Sequence, residues 1–110
     1  MENYNKVKKD EYSVRYYLDD NLHRLYGPAI EWSNGDKEWY QNGLCHRIDG
    51  PAIEWVNGHK AWYQNGVRHR IDGHSVEWAG GYKEWYYEGE KINCNSQKEF
   101  ERYIKLKLFW

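Results

Sequence analysis

Polar and apolar residues alternate along this chain in short runs, and the runs keep stopping at the same dipeptide. Asn34-Gly35, Asn42-Gly43, Asn57-Gly58 and Asn65-Gly66 each separate two stretches rich in aromatic and β-branched residues. Asn-Gly in that setting predicts a hairpin with a two-residue turn, because both turn positions need positive φ. Side chains alternate across a strand, so the turns fix which residues share a face. Across the first turn Trp32 faces Lys37 and Ile30 faces Trp39; across the second Trp39 faces His46 and Tyr40 faces Cys45. An aromatic face then carries Ile30, Trp32, Lys37, Trp39, His46 and Ile48. A charged face carries Glu31, Glu38, Tyr40, Cys45, Arg47 and Asp49. The same division continues with Trp55, Lys60, Trp62, His69 and Ile71 against Glu54, Arg68, Arg70 and Asp72.

The alternation is itself periodic. His23-Arg24-Leu25-Tyr26-Gly27-Pro28-Ala29 returns every 23 residues, as His46-Arg47-Ile48-Asp49-Gly50-Pro51-Ala52 and, less faithfully, as His69-Arg70-Ile71-Asp72-Gly73-His74-Ser75. A fixed period of this size marks stacked units that present surfaces rather than pockets. The pattern predicts an all-β fold, an antiparallel meander of 23-residue hairpin repeats with about two strands per repeat. Gly27-Pro28 and Gly50-Pro51 predict a bend or bulge, since Pro cannot donate to a ladder. Asp19-Asp20 stands where Asn42-Gly43 would be, and the His-Arg pair is lost by Lys91-Ile92, as expected of end units. Ser96 and Glu99 are spaced as a capping box. Phe100, Tyr103, Ile104 and Leu108 follow at helical spacing, predicting one C-terminal amphipathic helix through about Phe109. The whole chain, 1–110, reads as one domain: an N-terminal arm over 1–11, β-repeats over 12–94, and a capping helix over 95–110.

Composition changes the picture in two ways. Charged residues make up 30% of the 110 residues, which alone suggests disorder. Yet 7 Trp and 11 Tyr are present, and each buried ring removes roughly 150–250 Å² from water, so aromatic rows can replace an aliphatic core. A net charge of −1 supplies no basic field for nonspecific nucleic-acid binding. No apolar run reaches the ~20 residues of a membrane span, and the N-terminal segment lacks the apolar stretch of a signal peptide. Cys45 lies where other repeats carry Leu22 and Arg68, a place too variable for a framework disulfide. Free thiols in a reducing cytoplasm are expected.

With period and motif in hand, a resemblance emerges. Trp-Tyr-x-Asn-Gly together with Asp-Gly-Pro-Ala on a 23-residue period resembles MORN-type repeats. It is closer still to the divergent His-Arg-x-Asp-Gly-Pro-Ala version in phage and bacterial uncharacterised proteins. The likeness runs from Tyr12 to about Gly89; a His-Arg pair replaces part of the family's denser glycine ladder. The resemblance implies a non-catalytic protein-protein interaction module in the cytoplasm, with no cofactor. Its phage-like form implies an inhibitor of a host defence protein such as a CRISPR nuclease, acting in the host cytoplasm.

His23, His46 and His69 sit two strands apart, ~10 Å, too far to share a zinc ion whose ligands lie ~2 Å away; a His stacked on the facing Trp is expected instead. Arg24, Arg47 and Arg70 share their face with Glu31, Glu54 and Glu77, so structural pairing such as Arg47 with Glu38 is expected ahead of phosphate contacts. No nucleophile with a base and an orienting acid is visible, and no glycine loop cradles a phosphate. One helix cannot cover the whole aromatic face, which leaves a curled sheet, a protein partner or a homodimer to bury the rest. The candidate binding residues are therefore Trp32, Trp39, Trp55, Trp62, Trp78 and Trp85, with Arg47, Arg70 and Lys60. A second reading has the same Trp, Lys and Arg residues sequestering a nucleotide or signalling anion.

Overall fold

Asn42 and Gly43 take φ of 51° and 81°, Asn65 and Gly66 take 51° and 85°, and Asp19 and Asp20 take 49° and 68°. These values come from a computed structural model describing residues 3–108, and they are the two-residue turns that the alternation predicts. The N-terminal hairpin joins β1 (Lys6–Lys9) to β2 (Ser13–Leu18), and β3 (Asn21–Leu22) folds back on the end of β2. The segment read as an arm thus contributes an edge strand. Two successive units follow, each a long hairpin and then a short one. The first is β4 (Ile30–Trp32) with β5 (Lys37–Glu38), then β6 (Tyr40–Gln41) with β7 (Leu44–Cys45). The second is β8 (Ile53–Glu54) with β9 (Lys60–Ala61), then β10 (Tyr63–Gln64) with β11 (Val67–Arg68). The last unit runs β12 (Val76–Glu77), β13 (Lys83–Tyr87), β14 (Glu90–Ile92) and the helix α1 (Gln97–Leu108).

All pairings are antiparallel. The long hairpins build one sheet in the order β1-β2-β4-β5-β8-β9-β12-β13-β14, while β6-β7 and β10-β11 stand beside it as separate two-stranded pieces. Neighbouring short hairpins are tied at their tips: the amide of Gly66 donates to the Cys45 carbonyl at 2.9 Å, and that of Gly89 to the Arg68 carbonyl at 2.8 Å. The described chain is a thin slab of 46 × 31 × 20 Å.

The long hairpins depart from the predicted register. Trp32 pairs with Asp36, its amide donating to the Asp36 carbonyl at 2.9 Å, so Ile30 lies opposite Glu38 and Glu31 opposite Lys37. The turn holds three residues, with only Gly35 at positive φ. What separates the two kinds of Asn-Gly is what each Asn contacts. Asn34 and Asn57 accept through Oδ1 from the amides of Asp36 and His59, both at 2.9 Å, which favours a type I turn closed by glycine. Asn42 and Asn65 instead donate their own amides to the Nδ1 atoms of His23 and His46, at 2.9 and 3.0 Å, and are held left-handed. A one-residue slip moves a whole strand to the other face, so the clean division into an aromatic and a charged face does not survive.

Two cross-strand rows replace it. One runs Glu31, Lys37, Glu54, Lys60, Glu77, Lys83, alternating in sign across six strands. The other, on the opposite face, runs Ile30, Glu38, Ile53, Ala61, Val76, Glu84. Close packing is concentrated on the second row and on Ala29, Ala52 and Ser75, which occupy one repeat position and are fully buried. At the C-terminal end Trp85, Ile92, Phe100 and Ile104 form a small core, with Phe100 fully buried. Ser96 caps α1, its Oγ accepting from the Glu99 amide at 3.2 Å. Leu108, expected on the apolar stripe, is exposed; the expected helix end at Phe109 lies outside the described residues.

Candidate functional site

The His-Arg-x-Asp-Gly motif builds a clip. The Arg47 guanidinium lies 3.9 Å from the centroid of the Trp39 ring, Arg70 lies 4.1 Å from that of Trp62, and Arg24 lies 3.9 Å from that of Tyr16. From the other side the motif glycine closes in: a Cβ on Gly50 would come within 2.9 Å of Arg47 Cζ, and one on Gly73 within 2.6 Å of Arg70 Cζ. The flat guanidinium fills a slot only a glycine leaves open. In plane, Arg47 donates to the Pro51 carbonyl at 3.1 Å, to Glu54 at 2.7 Å and to Asp49 at 2.9 Å. The expected pairing with Glu38 does not occur, because the register slip sends Glu38 to the Trp32 indole N–H and the Tyr40 hydroxyl. Arg70 donates likewise to the His74 carbonyl and to Asp72. Arg47 and Arg70 are thus engaged twice, by stacking on the Trp of the preceding repeat and by polar bonds within their own.

Nor do the motif histidines serve as ring stacks on a facing Trp. His23, His46 and His69 accept through Nδ1 from the amides of Asn42, Asn65 and Glu88, between 2.8 and 3.0 Å. Each histidine thus pins the next short turn. The two off-motif histidines do stack. His59 is buried between Trp55 and Trp78, with ring centroids at 5.0 and 4.7 Å. Burial, and then the Arg68 charge, holds its pKa below the ordinary value. His74 lies edge-on to Trp62 and bonds Glu77 at 2.9 Å; burial lowers its pKa against the pull of that carboxylate. Both cysteines are free, and burial pushes the Cys45 thiol up to about 12.

The predicted residues therefore fall in four places. Trp32, Trp55 and Trp78 sit at the long hairpin tips, Trp32 with Arg15 at 5.2 Å from its ring and Trp55 and Trp78 partly exposed around His59. Trp85 is buried in the capping core. Lys60 stands in the alternating ladder between Glu54 and Glu77. Trp39, Trp62, Arg47 and Arg70 line a row of clefts, the one place where several of them converge.

Those clefts lie between successive motif loops. The first, about 530 Å³, opens between Leu25-Tyr26-Gly27 and Arg47-Ile48-Asp49, with Trp39 in its lining. The second, about 550 Å³, lies between Ile48-Asp49-Gly50 and Arg70-Ile71-Asp72, with Trp62 in its lining. A third, about 470 Å³, lies between Arg70 and the start of α1, with Trp85 in its lining. The ridges between them carry residues absent from the sequence-based set. Ile48 is 80% exposed, Ile71 52% and Leu25 40%, and the Asp49 and Asp72 carboxylates beside the isoleucines are open to solvent. Ile48 and Ile71, expected on the aromatic face, project from loops instead. The signal in the sequence was the recurrence of an aliphatic residue directly after His-Arg, as Leu25, Ile48 and Ile71.

Among the described residues no group of three or more His, Cys, Asp or Glu is arranged to hold a metal ion, and no helix is long and apolar enough to cross a membrane. No protein-family model matches the chain. No curated protein matches its sequence, and no solved structure matches its fold.

Proposed function

We propose that this chain is a non-catalytic protein-binding module whose contact surface is the cleft row with its aliphatic ridges. The observation that carries the reading is the recurrence of an exposed Leu25, Ile48 and Ile71 at one repeat position. A scattered exposed aliphatic residue needs no explanation, whereas a row of them rimmed by polar groups is what interaction surfaces look like. Anion sequestration draws less support. Arg47 and Arg70 donate within their own repeat, and Asp49 and Asp72 at the cleft rims pair with them and offset the charge an anion would need. The inhibitor of a host defence protein implied by the resemblance would be one instance of such a module.

The test is capture of a partner from bacterial lysate by immobilised wild type and by an Ile48→Asp/Ile71→Asp double variant. Both side chains are exposed, so the variant is expected to keep its thermal midpoint and lose partner retention by at least tenfold. Equal capture at equal stability would sink the assignment. So would a loss caused instead by Trp55→Ala, which would move the contact to the hairpin tips.

A further inference from the structure

The third cleft is lined by a side chain with no counterpart in the first two, Gln97. Gln97, in the first turn of α1, accepts through Oε1 from the indole N–H of Trp85 at 2.7 Å. Through Nε2 it donates to the Ile71 carbonyl at 3.0 Å. One carboxamide thus satisfies one donor and one acceptor at once, which neither a carboxylate nor an ammonium group does. One repeat earlier the counterparts of Trp85 and Ile71 are Trp62 and Ile48, and one before that Trp39 and Leu25. These two pairs line the second and first clefts. Among the described residues their indole N–H groups and carbonyls have no hydrogen-bond partner. The stacked arginines do not change this, since they cover ring faces and an indole N–H lies in the ring plane.

We infer that the first two clefts read carboxamides, and that the partner presents two Gln side chains to them from one α-helix, seven residues apart. The inference rests on the protein-binding reading above. Its spacing follows from geometry. Counterparts in adjacent repeats stand two strands apart, ~9.6 Å at ~4.8 Å per strand. Seven residues of helix rise ~10.5 Å at ~1.5 Å each and return to the same face within ~20°. An extended strand spans a similar length in three residues, but puts the first and the fourth on opposite sides. Between the two Gln positions the helix passes over Ile48, so an apolar residue belongs there, and the open Asp49 and Asp72 carboxylates match flanking Lys or Arg.

The experiment is an NMR titration of the isotopically labelled full chain, following the indole N–H resonances. The probe is an Ala-based helical peptide with two Gln seven residues apart, Leu between them and Lys on the flanks. Trp39 and Trp62 are expected to shift while Trp85, already bonded to Gln97, stays in place. Replacing both Gln by Glu is expected to weaken binding at least tenfold. Shifts confined to Trp55 and Trp78, binding indifferent to the Gln→Glu change, or preference for a polyproline peptide with Gln at every third position would overturn the inference. If no helical peptide binds while Ile48→Asp/Ile71→Asp still abolishes partner capture, the carboxamide assignment falls and the protein-binding reading stands. If neither responds, both fall.

Discussion

Arg47 is held between an indole and a residue with no side chain, so a side chain at Gly50 would compete with it for the slot. Its stacking on Trp39 at 3.9 Å is worth ~0.5–2 kcal/mol, and its charge-assisted bond to Glu54 a further ~1.5–3 kcal/mol. Gly50→Ala places a methyl 2.9 Å from the guanidinium carbon, which forces the side chain out of the slot. Glu54 is partly exposed and its pairing screened, so the lower ends apply, about 2 kcal/mol in all; Gly50→Ala and Arg47→Ala are each expected to lower the thermal midpoint by roughly 8–16 °C at ~4–8 °C per kcal/mol. The double variant should lose little more than Arg47→Ala alone, because both changes remove the same clip. Calorimetry on the three variants checks this, and simple additivity would refute the shared slot. The period announced that His-Arg-x-Asp-Gly matters, but no partner could be read from it. Arg47 and Gly50 are three positions apart in a loop, and only the folded loop shows that one makes room for the other.

At the scale of the hairpin, the same Asn-Gly dipeptide makes two different turns, and that difference sets the register of the main sheet. The short hairpins were legible, since Tyr40 opposite Cys45 and Tyr63 opposite Arg68 follow directly from two-residue turns. The long hairpins were not. Whether Asn34 bonds its own turn or borrows a histidine from the previous repeat depends on a contact between units, which local sequence does not contain. The slip has an energetic consequence at Lys60. Instead of facing a Trp it stands between Glu54 and Glu77, in a ladder where each opposite-charge pair adds ~0.2–1 kcal/mol and like charges subtract similar amounts. Lys60→Glu is therefore expected to lower stability by about 1–2 kcal/mol at low salt. The deficit should shrink towards zero at ~1 M salt, where the screening length falls to ~3 Å. Denaturant melts at the two salt concentrations decide it; a salt-independent loss would mean that Lys60 acts by packing rather than by charge.

The whole molecule is a slab whose repeats touch only their neighbours, with its ends finished differently. One edge is β1, four exposed residues that include Lys6, Lys8 and Lys9, a composition that discourages pairing with another chain. The other end is finished by α1, which brings Phe100 and Ile104 onto Trp85 and Ile92 to make the C-terminal core cluster. The helix was legible from its spacing and its Ser96 cap, and so was its role of covering the last strands; the bridge that Gln97 makes between Trp85 and Ile71 was not, because Gln on a helix start carries no sign of its target. In a linear array, stability is close to a sum of unit and nearest-neighbour contributions, so damage at one end should stay there. Phe100 is fully buried, and Phe100→Ala is expected to cost ~3–5 kcal/mol. That loss should appear in hydrogen exchange as a collapse of protection in α1, β14 and β13, fading through β12 and leaving β2, β4 and β5 near their wild-type rates. The gradient follows from the geometry, since the core cluster that holds Phe100 is built from β13, β14, α1 and the Cys94 between them. A uniform loss from β2 to α1 would mean that the clips and the Gly66 and Gly89 bonds between short hairpins couple the repeats into one cooperative unit, with Phe100 serving the entire array.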